Sequence, residues 1–272
     1  MITCDNGVRE EWSTALAMLL YHLSYPRRLS DVHMSMGWEP SRFSRVITYT
    51  AYFIYNHWKH LLRWDTSRLT PHKLADYARA IHEKGSPLPN CFGFIDGTLR
   101  KMARPVRNQR LVYNGWKHFH TLKYHSVVAP DGIHIHVWGP VEAHYHDATL
   151  YQQSGIADIL DVHAYDSCGK SLVLYGDPAY GIQSHLISPY GSTNITPDQQ
   201  KFNSQMSKCR QAVEWGFGEV VRIFPFLDFS KNMRLLLQPV GIYYLIGILL
   251  CNAHTILHQP AIPRYSRSCA NP

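Results

Sequence analysis

The chain has 272 residues, 45% of them hydrophobic and 17% charged, which excludes a disordered or low-complexity polypeptide and leaves ample apolar surface for a core. Lysine and arginine total 27 against 20 aspartates and glutamates, so the chain reads as a folded, basic, soluble protein of net charge +7. Six cysteines form no C-x-x-C pair and no metal spacing, which excludes a zinc finger and favours reduced thiols in an intracellular setting over a disulfide framework.

Met1 to Glu11 carries Asp5, Arg9, Glu10 and Glu11 with no apolar run, so no secretory signal is legible there. Apolar residues at helical spacing predict helices over Trp12–Leu23, Leu29–Met36 and Phe43–Leu62. The last two, separated by Gly37 and Pro40, outline a helix-turn-helix whose second helix presents Arg42, Ser44 and Arg45 near its start; a plain helical bundle supporting a catalytic domain fits equally. A further helix is expected over Thr70–Glu83, and the turn-rich run Lys84–Asn90 marks a boundary.

Beyond Asn90 the pattern turns to strands over Phe92–Thr98, Phe119–Val128 and Ile133–Trp138, the last two joined by the turn signal Pro130-Asp131-Gly132. A helix over Asp147–Leu160, strands over Ser171–Gly176 and His185–Ile187, and two long helices over Pro197–Phe224 and Arg234–Ile256 complete an α/β domain with a mixed sheet. The charge-free stretch Leu235–Leu257 is interrupted by Gln238, Pro239 and Asn252, and its uninterrupted part, Val240–Cys251, is shorter than the ~18 residues of a membrane span. It reads as a buried core helix.

Four acids stand where structure alone gives them little reason to be. Asp96 ends the apolar run Cys91–Ile95, and Asp177 repeats the pattern after Leu172–Gly176; strand ends are where α/β sheets place their sites. A buried carboxylate is costly unless it is paired or ligates a metal, though a turn or helix cap is the plain alternative for either residue alone. Asp147 begins a predicted helix, where a cap is the simpler explanation. Glu214 lies at the edge of the stripe Phe202, Met206, Val213, Phe217, Val220 and Phe224 and can point across the sheet. Glu219 is rotated from it by about 140° on the same helix and reads as a structural or surface acid. Arg210, one turn before Glu214, falls beside a bound phosphate or the carboxylate.

Such carboxylates suit divalent cations, a pair of which activates water or a 3′-hydroxyl and stabilises the leaving oxygen of a phosphodiester. Between Gly97 and Pro130 there is no acid, while Arg100, Lys101, Arg104, Arg107, Arg110, Lys117 and Lys123 match the whole net charge, as a phosphate-binding face would. His134 and His136 alternate on one predicted strand face among a histidine-rich group that includes His118, His120, His125, His144 and His146, in the manner of polar-face or nucleic-acid contacts or, less simply, a metal site.

The runs Phe94-Ile95-Asp96-Gly97-Thr98, Tyr113-Asn114-Gly115-Trp116-Lys117, Pro130-Asp131-Gly132, Gly139-Pro140, His146-Asp147, Gly176-Asp177-Pro178-Ala179-Tyr180 and Val213-Glu214-Trp215-Gly216-Phe217-Gly218 resemble, in order and spacing, the DDE endonucleases of PIF/Harbinger transposases and the related domesticated nuclease of vertebrates. Trp116 and Ala143 depart from the histidine and glycine usual at those places. The resemblance implies an RNase H-like fold: an α/β mixed sheet flanked by helices, with an N-terminal helix-turn-helix-like region. It implies a DDE triad of Asp96, Asp177 and Glu214, with Asp147 as an additional metal ligand and two divalent cations, Mg²⁺ or Mn²⁺, as cofactor. It also implies DNA as substrate, a Myb-like DNA-binding partner and action in the nucleus; assembly into a homo-oligomer is compatible with it. The corresponding division is 1–66 helical, 67–90 helix and linker, 91–258 nuclease domain and 259–272 tail. A domesticated DNA-binding or scaffold protein without turnover is the alternative from a different class, and intact Asp96, Asp177 and Glu214 speak for the enzyme.

Overall fold

The computed structural model describes residues 1–4, 7–191, 194–235 and 237–258, with side chains at all of them except 29 and 212–215. Two short strands, β1 (Ile2–Thr3) and β2 (Arg9–Glu10), pair antiparallel and lead into helices α1 (Trp12–Ser24), α2 (Leu29–Met36) and α3 (Pro40–Trp58). α3 starts where chemistry favours a start: the Glu39 carboxylate accepts from the Ser41 and Arg42 amides, and Pro40 brings no amide that would need a partner. Its buried stripe of Phe43, Val46, Ile47, Thr50, Ala51 and Ile54 recurs every three or four residues. A 3₁₀ turn at Lys59–Leu62 follows, then α4 (Pro71–Glu83), capped by the Thr70 hydroxyl.

The sheet is built next, from β3 (Cys91–Lys101), a short helix α5 (Gln109–Val112), β4 (Tyr113–Asn114), β5 (Phe119–Val128) and β6 (His134–Glu142). Helices α6 (Asp147–Gln153) and α7 (Ile156–His163), strands β7 (Val173–Tyr175) and β8 (Leu186–Ile187), and the long helices α8 (Pro197–Ile223) and α9 (Val240–Leu257) complete the order. One six-stranded sheet results, with β4 and β6 both on β5, followed by β3, β7 and β8. β3 runs antiparallel to β5 and parallel to β7, so the fold is the expected mixed sheet flanked by helices, of RNase H-like type.

Alternation along β3 divides two apolar layers. Ile95 faces Leu74 and Tyr77 of α4, Tyr151 of α6 and Leu160 of α7, whereas Phe94 faces Met206, Cys209 and Phe217 of α8. A third cluster joins α1, α2 and α3 to Tyr124 and Val137 of the sheet, Val220 and Phe224 of α8, and Tyr243, Tyr244 and Ile246 of α9. The N-terminal helices therefore share a core with α9. α9 is long and apolar enough to cross a membrane by length and composition, but its run Tyr243–Leu249 is buried in that cluster, the core position the sequence suggested.

Three expectations are corrected. The helix expected over Asp147–Leu160 breaks into α6 and α7 because Gly155 adopts a left-handed φ of 69°, which glycine reaches without a Cβ clash. The last helix starts at Val240 and not at Arg234, since 3₁₀ turns and Pro239 occupy the approach. β3 and β6 outrun their expected ends, to Lys101 and Glu142, because cross-strand pairing to β5 carries both past their apolar runs.

Candidate active site

Asp96 lies within β3, where Phe94 is level with Tyr175 of the parallel neighbour β7. Two residues further along each chain, Asp96 and Asp177 emerge on the same face of the sheet, the face covered by α8. Both carboxylates are partitioned alike. Asp96 Oδ1 accepts from the Gly97 amide at 2.9 Å, and Asp177 Oδ1 accepts from the Ala179 amide at 2.7 Å, capping the 3₁₀ turn Pro178–Tyr180. The second oxygens meet at one cation: Arg210 Nη2 of α8 is 3.0 Å from Asp96 Oδ2 and 3.8 Å from Asp177 Oδ2. Asp177 thus fulfils the cap role and still offers an oxygen to the cleft.

Burial raises the Asp96 carboxyl above its ordinary range; the Arg210 guanidinium and the Gly97 amide oppose that, and Asp177 adds to it. Arg210 is itself largely enclosed, and its Nε has no hydrogen-bond partner.

Asp147 comes from the opposite side. Gly97 follows Asp96 on β3 and so faces the other way, and a Cβ on Gly97 would overlap Asp147 Oδ1. Asp147 is the first residue of α6, with His146 and not Asp147 at the N-cap; its Oδ1 is 3.1 Å from Lys123 Nζ, which donates to the Tyr145 carbonyl at 2.8 Å. Tyr180 packs on that same side with Ile95 and Val127. Its buried hydroxyl has no hydrogen-bond partner, and burial, then Asp147, Asp96 and Asp177 in that order, push its ionisation well above the ordinary value. Neither Tyr180 nor Gly97 was singled out by sequence reasoning, although both stand inside runs that carried the resemblance. A bulky residue three positions after Asp177 and an obligatory small one after Asp96 were the available signals.

The side chain of Glu214 lies outside the described residues, as does that of Val213. In backbone terms Glu214 sits one helical turn after Arg210 on α8. Glu219 pairs with Arg222 at 3.0 Å.

The basic segment divides. Lys101, Arg104, Arg107, Arg110 and Lys117 are exposed, with Lys101 Nζ 4.5 Å from the Phe119 ring centre and Arg104 Nε donating to Gln109. Lys123 is instead buried beside Asp147, and Arg100 is half-buried against the Tyr244 ring, so neither belongs to the exposed basic face that the charge pattern suggested. Position on the inward side of β5 explains the first, and the aromatic face of α9 the second.

The two histidines expected on one face of β6 are separated. A register shift opposite Val127 and Val128 inserts an extra residue, so that His134 hydrogen-bonds Ser126 and packs on Phe217, while His136 packs on His125. Burial holds His125 and His136 down to about 3 and His134 down to about 4, which leaves all three neutral. Among the described residues no three histidine, cysteine or acidic side chains gather as a metal cage.

A family model described as DDE superfamily endonuclease matches residues 95–252, more than half of the chain, from the residue before Asp96 to the middle of α9. The chain belongs to the DDE superfamily endonucleases. No curated protein and no solved structure matches it.

DDE superfamily endonucleases generally use divalent metal ions, and the acid pair fits one on two observations. Two hard carboxylate oxygens already converge on a single cationic nitrogen, and the Asp96 side chain is only 18% exposed, so its charge calls for a cationic partner within the cleft. Asp96 and Asp177 would hold the ion through their Oδ2 atoms, leaving each Oδ1 on its backbone amide.

Proposed function

We propose that the chain is a metal-dependent DNA endonuclease of the PIF/Harbinger transposase type, able to cleave phosphodiester bonds and to transfer strands. The observation that carries the reading is the meeting of Asp96 Oδ2 and Asp177 Oδ2 at one cation, from strands adjacent in the sheet and far apart in sequence. Asp96, Asp177 and Glu214 form the catalytic triad in this reading, with two divalent ions, Mg²⁺ or Mn²⁺, as cofactor; Asp147, which the sequence offered as a further ligand, lies on the other face of the sheet against Gly97 and Lys123 and backs the strand that carries Asp96. Bound there, the ions would supply an activated water or 3′-hydroxyl and charge stabilisation at the leaving oxygen.

The chain's own groups do the positioning. The Gly97 and Ala179 amides fix the inner oxygens of Asp96 and Asp177, so each carboxylate turns without freedom toward the cleft. Lys123 holds Asp147 against Gly97 from the other side of the sheet. Lys101, Arg104, Arg107, Arg110 and Lys117 hold the DNA backbone, which accounts for an acid-free basic segment leading directly from Asp96. Residues 91–258 act as the nuclease domain and 1–66 as the helix-turn-helix-like region, joined by the helix and linker of 67–90; the tail assigned to 259–272 lies outside the described residues. Work in the nucleus beside a Myb-like DNA-binding partner, with assembly into a homo-oligomer, completes the proposal.

The test is nicking of supercoiled plasmid with and without Mg²⁺ or Mn²⁺. Nicked circles that form only with metal and disappear in Asp177→Ala support the reading; nicking that is indifferent to metal or to Asp177 contradicts it.

A further inference from the structure

The Arg210 guanidinium occupies the position between two carboxylates that the metal reading gives to a divalent ion. Its Nη2 is 3.0 Å from Asp96 Oδ2 and 3.8 Å from Asp177 Oδ2, and no other described cation pairs with either acid. The pair is not a solvated surface one: the Asp96 and Arg210 side chains are 18% and 19% exposed. α8 is anchored against the sheet by Met206, Cys209 and Phe217 on either side of Arg210, which fixes the height at which the guanidinium enters.

Resting on the metal-site reading above, we infer that Arg210 is a built-in counter-ion that holds the Asp96–Asp177 pair together without metal and competes with the divalent ion for the same two oxygens. Two carboxylates brought close in a partly desolvated cleft repel each other, and one guanidinium relieves that repulsion only while it stays on the outer oxygens. Those oxygens are also the free ones, since the inner pair is committed to the Gly97 and Ala179 amides. An arriving ion must therefore displace the guanidinium, and the metal affinity measured is that of the acids less the cost of this displacement. Arg210 is a positioning residue in this scheme. It holds both outer carboxylate oxygens toward one point and keeps the site weak for metal until both acids can be satisfied together.

The experiment titrates the full chain with Mn²⁺ alone, without DNA, and reads binding by water-proton relaxation and by thermal unfolding. Arg210→Gln should bind Mn²⁺ about ten- to a hundredfold more tightly than wild type, the range set by removing one competing charge-assisted hydrogen bond. Its metal-free form should melt below wild type, and saturating Mn²⁺ should close most of that gap. Arg210→Lys, with a shorter reach to the pair, should bind severalfold more tightly than wild type and decides the matter if the glutamine variant does not fold. Affinity equal to or weaker than wild type in the folded variants overturns the inference. Asp177→Asn separates this from the reading beneath it: Mn²⁺ binding abolished in Asp177→Asn but unchanged in both Arg210 variants leaves the metal site standing and removes only the counter-ion role. Binding unchanged in Asp177→Asn removes both.

Discussion

Asp147 Oδ1 fills the space that a Cβ on Gly97 would need. The glycine after Asp96 is therefore a matter of room and not of backbone angle, since it lies in regular β3 pairing with His125. Gly97→Ala should force Asp147 away from Lys123 and cost about 1–3 kcal/mol, the usual range for overpacking a filled site. Urea denaturation checks this. An alanine variant as stable as wild type would mean that α6 shifts freely and that Asp147 is not held there.

On the same side of the sheet, Tyr180 buries a hydroxyl with no hydrogen-bond partner among carboxylates. Tyr180→Phe keeps the ring and removes the unpaired group, so metal-free stability should be unchanged or should rise by up to about 1 kcal/mol. A loss beyond about 1 kcal/mol in the same denaturation measurement would show that the hydroxyl is satisfied in solution.

The exposed basic residues and buried Lys123 should part company in DNA binding. Reversing Arg104, Arg107 and Arg110 together should reduce the slope of log affinity against log salt by roughly 3, at about 0.9 for each phosphate no longer neutralised. Lys123→Met should leave that slope unchanged while lowering stability by about 1–3 kcal/mol, because it strands Asp147 in a half-buried position. Fluorescence anisotropy across a salt series reads both. A slope that falls for Lys123→Met and stays for the triple variant would place the phosphate-binding cations on the wrong face.

Four buried histidines make the fold acid-sensitive. Burial lowers His22 and His134 to about 4 and His125 and His136 to about 3, from an ordinary value of 6.5. Unfolding releases neutral rings that then take up protons, so their contribution is complete above about pH 6.5 and is lost as pH falls toward 4. The slope should approach about 1.4 kcal/mol per pH unit for each histidine near pH 5. Melting temperature measured from pH 7.5 to 4.5 should fall steeply below 6.5, and a flat profile to pH 5 would mean that these rings are protonated in the folded state.

Much of this was legible in the sequence where a periodic pattern met an uninterrupted element. β5 runs over Phe119–Val128 and α2 over Leu29–Met36 as expected, because no glycine or proline intervenes in either. Asp96 and Asp177 were legible as a polar residue ending an apolar run, and strand adjacency then brings them together. The histidine face of β6 was not, since a bulge carries no composition signal and reverses alternation with one residue. Nor were the partners of Lys123 and Arg100 readable, because a run of cations looks alike in sequence whether it lies on a solvated loop or on the inward face of a strand. Depth is set for Lys123 by the face of β5 on which it falls and for Arg100 by α9, which lies far along the chain from it.

The sharpest measurement compares metal-dependent plasmid nicking by Glu214→Gln and Glu219→Gln, two acids of one helix that cannot both face the same metal pair. Glu214→Gln keeps size and hydrogen bonding and removes the ligand charge, so it should abolish nicking. Glu219, already paired with Arg222, should tolerate glutamine within a few fold of wild type. Nicking that survives in Glu214→Gln and vanishes in Glu219→Gln would contradict the triad of Asp96, Asp177 and Glu214.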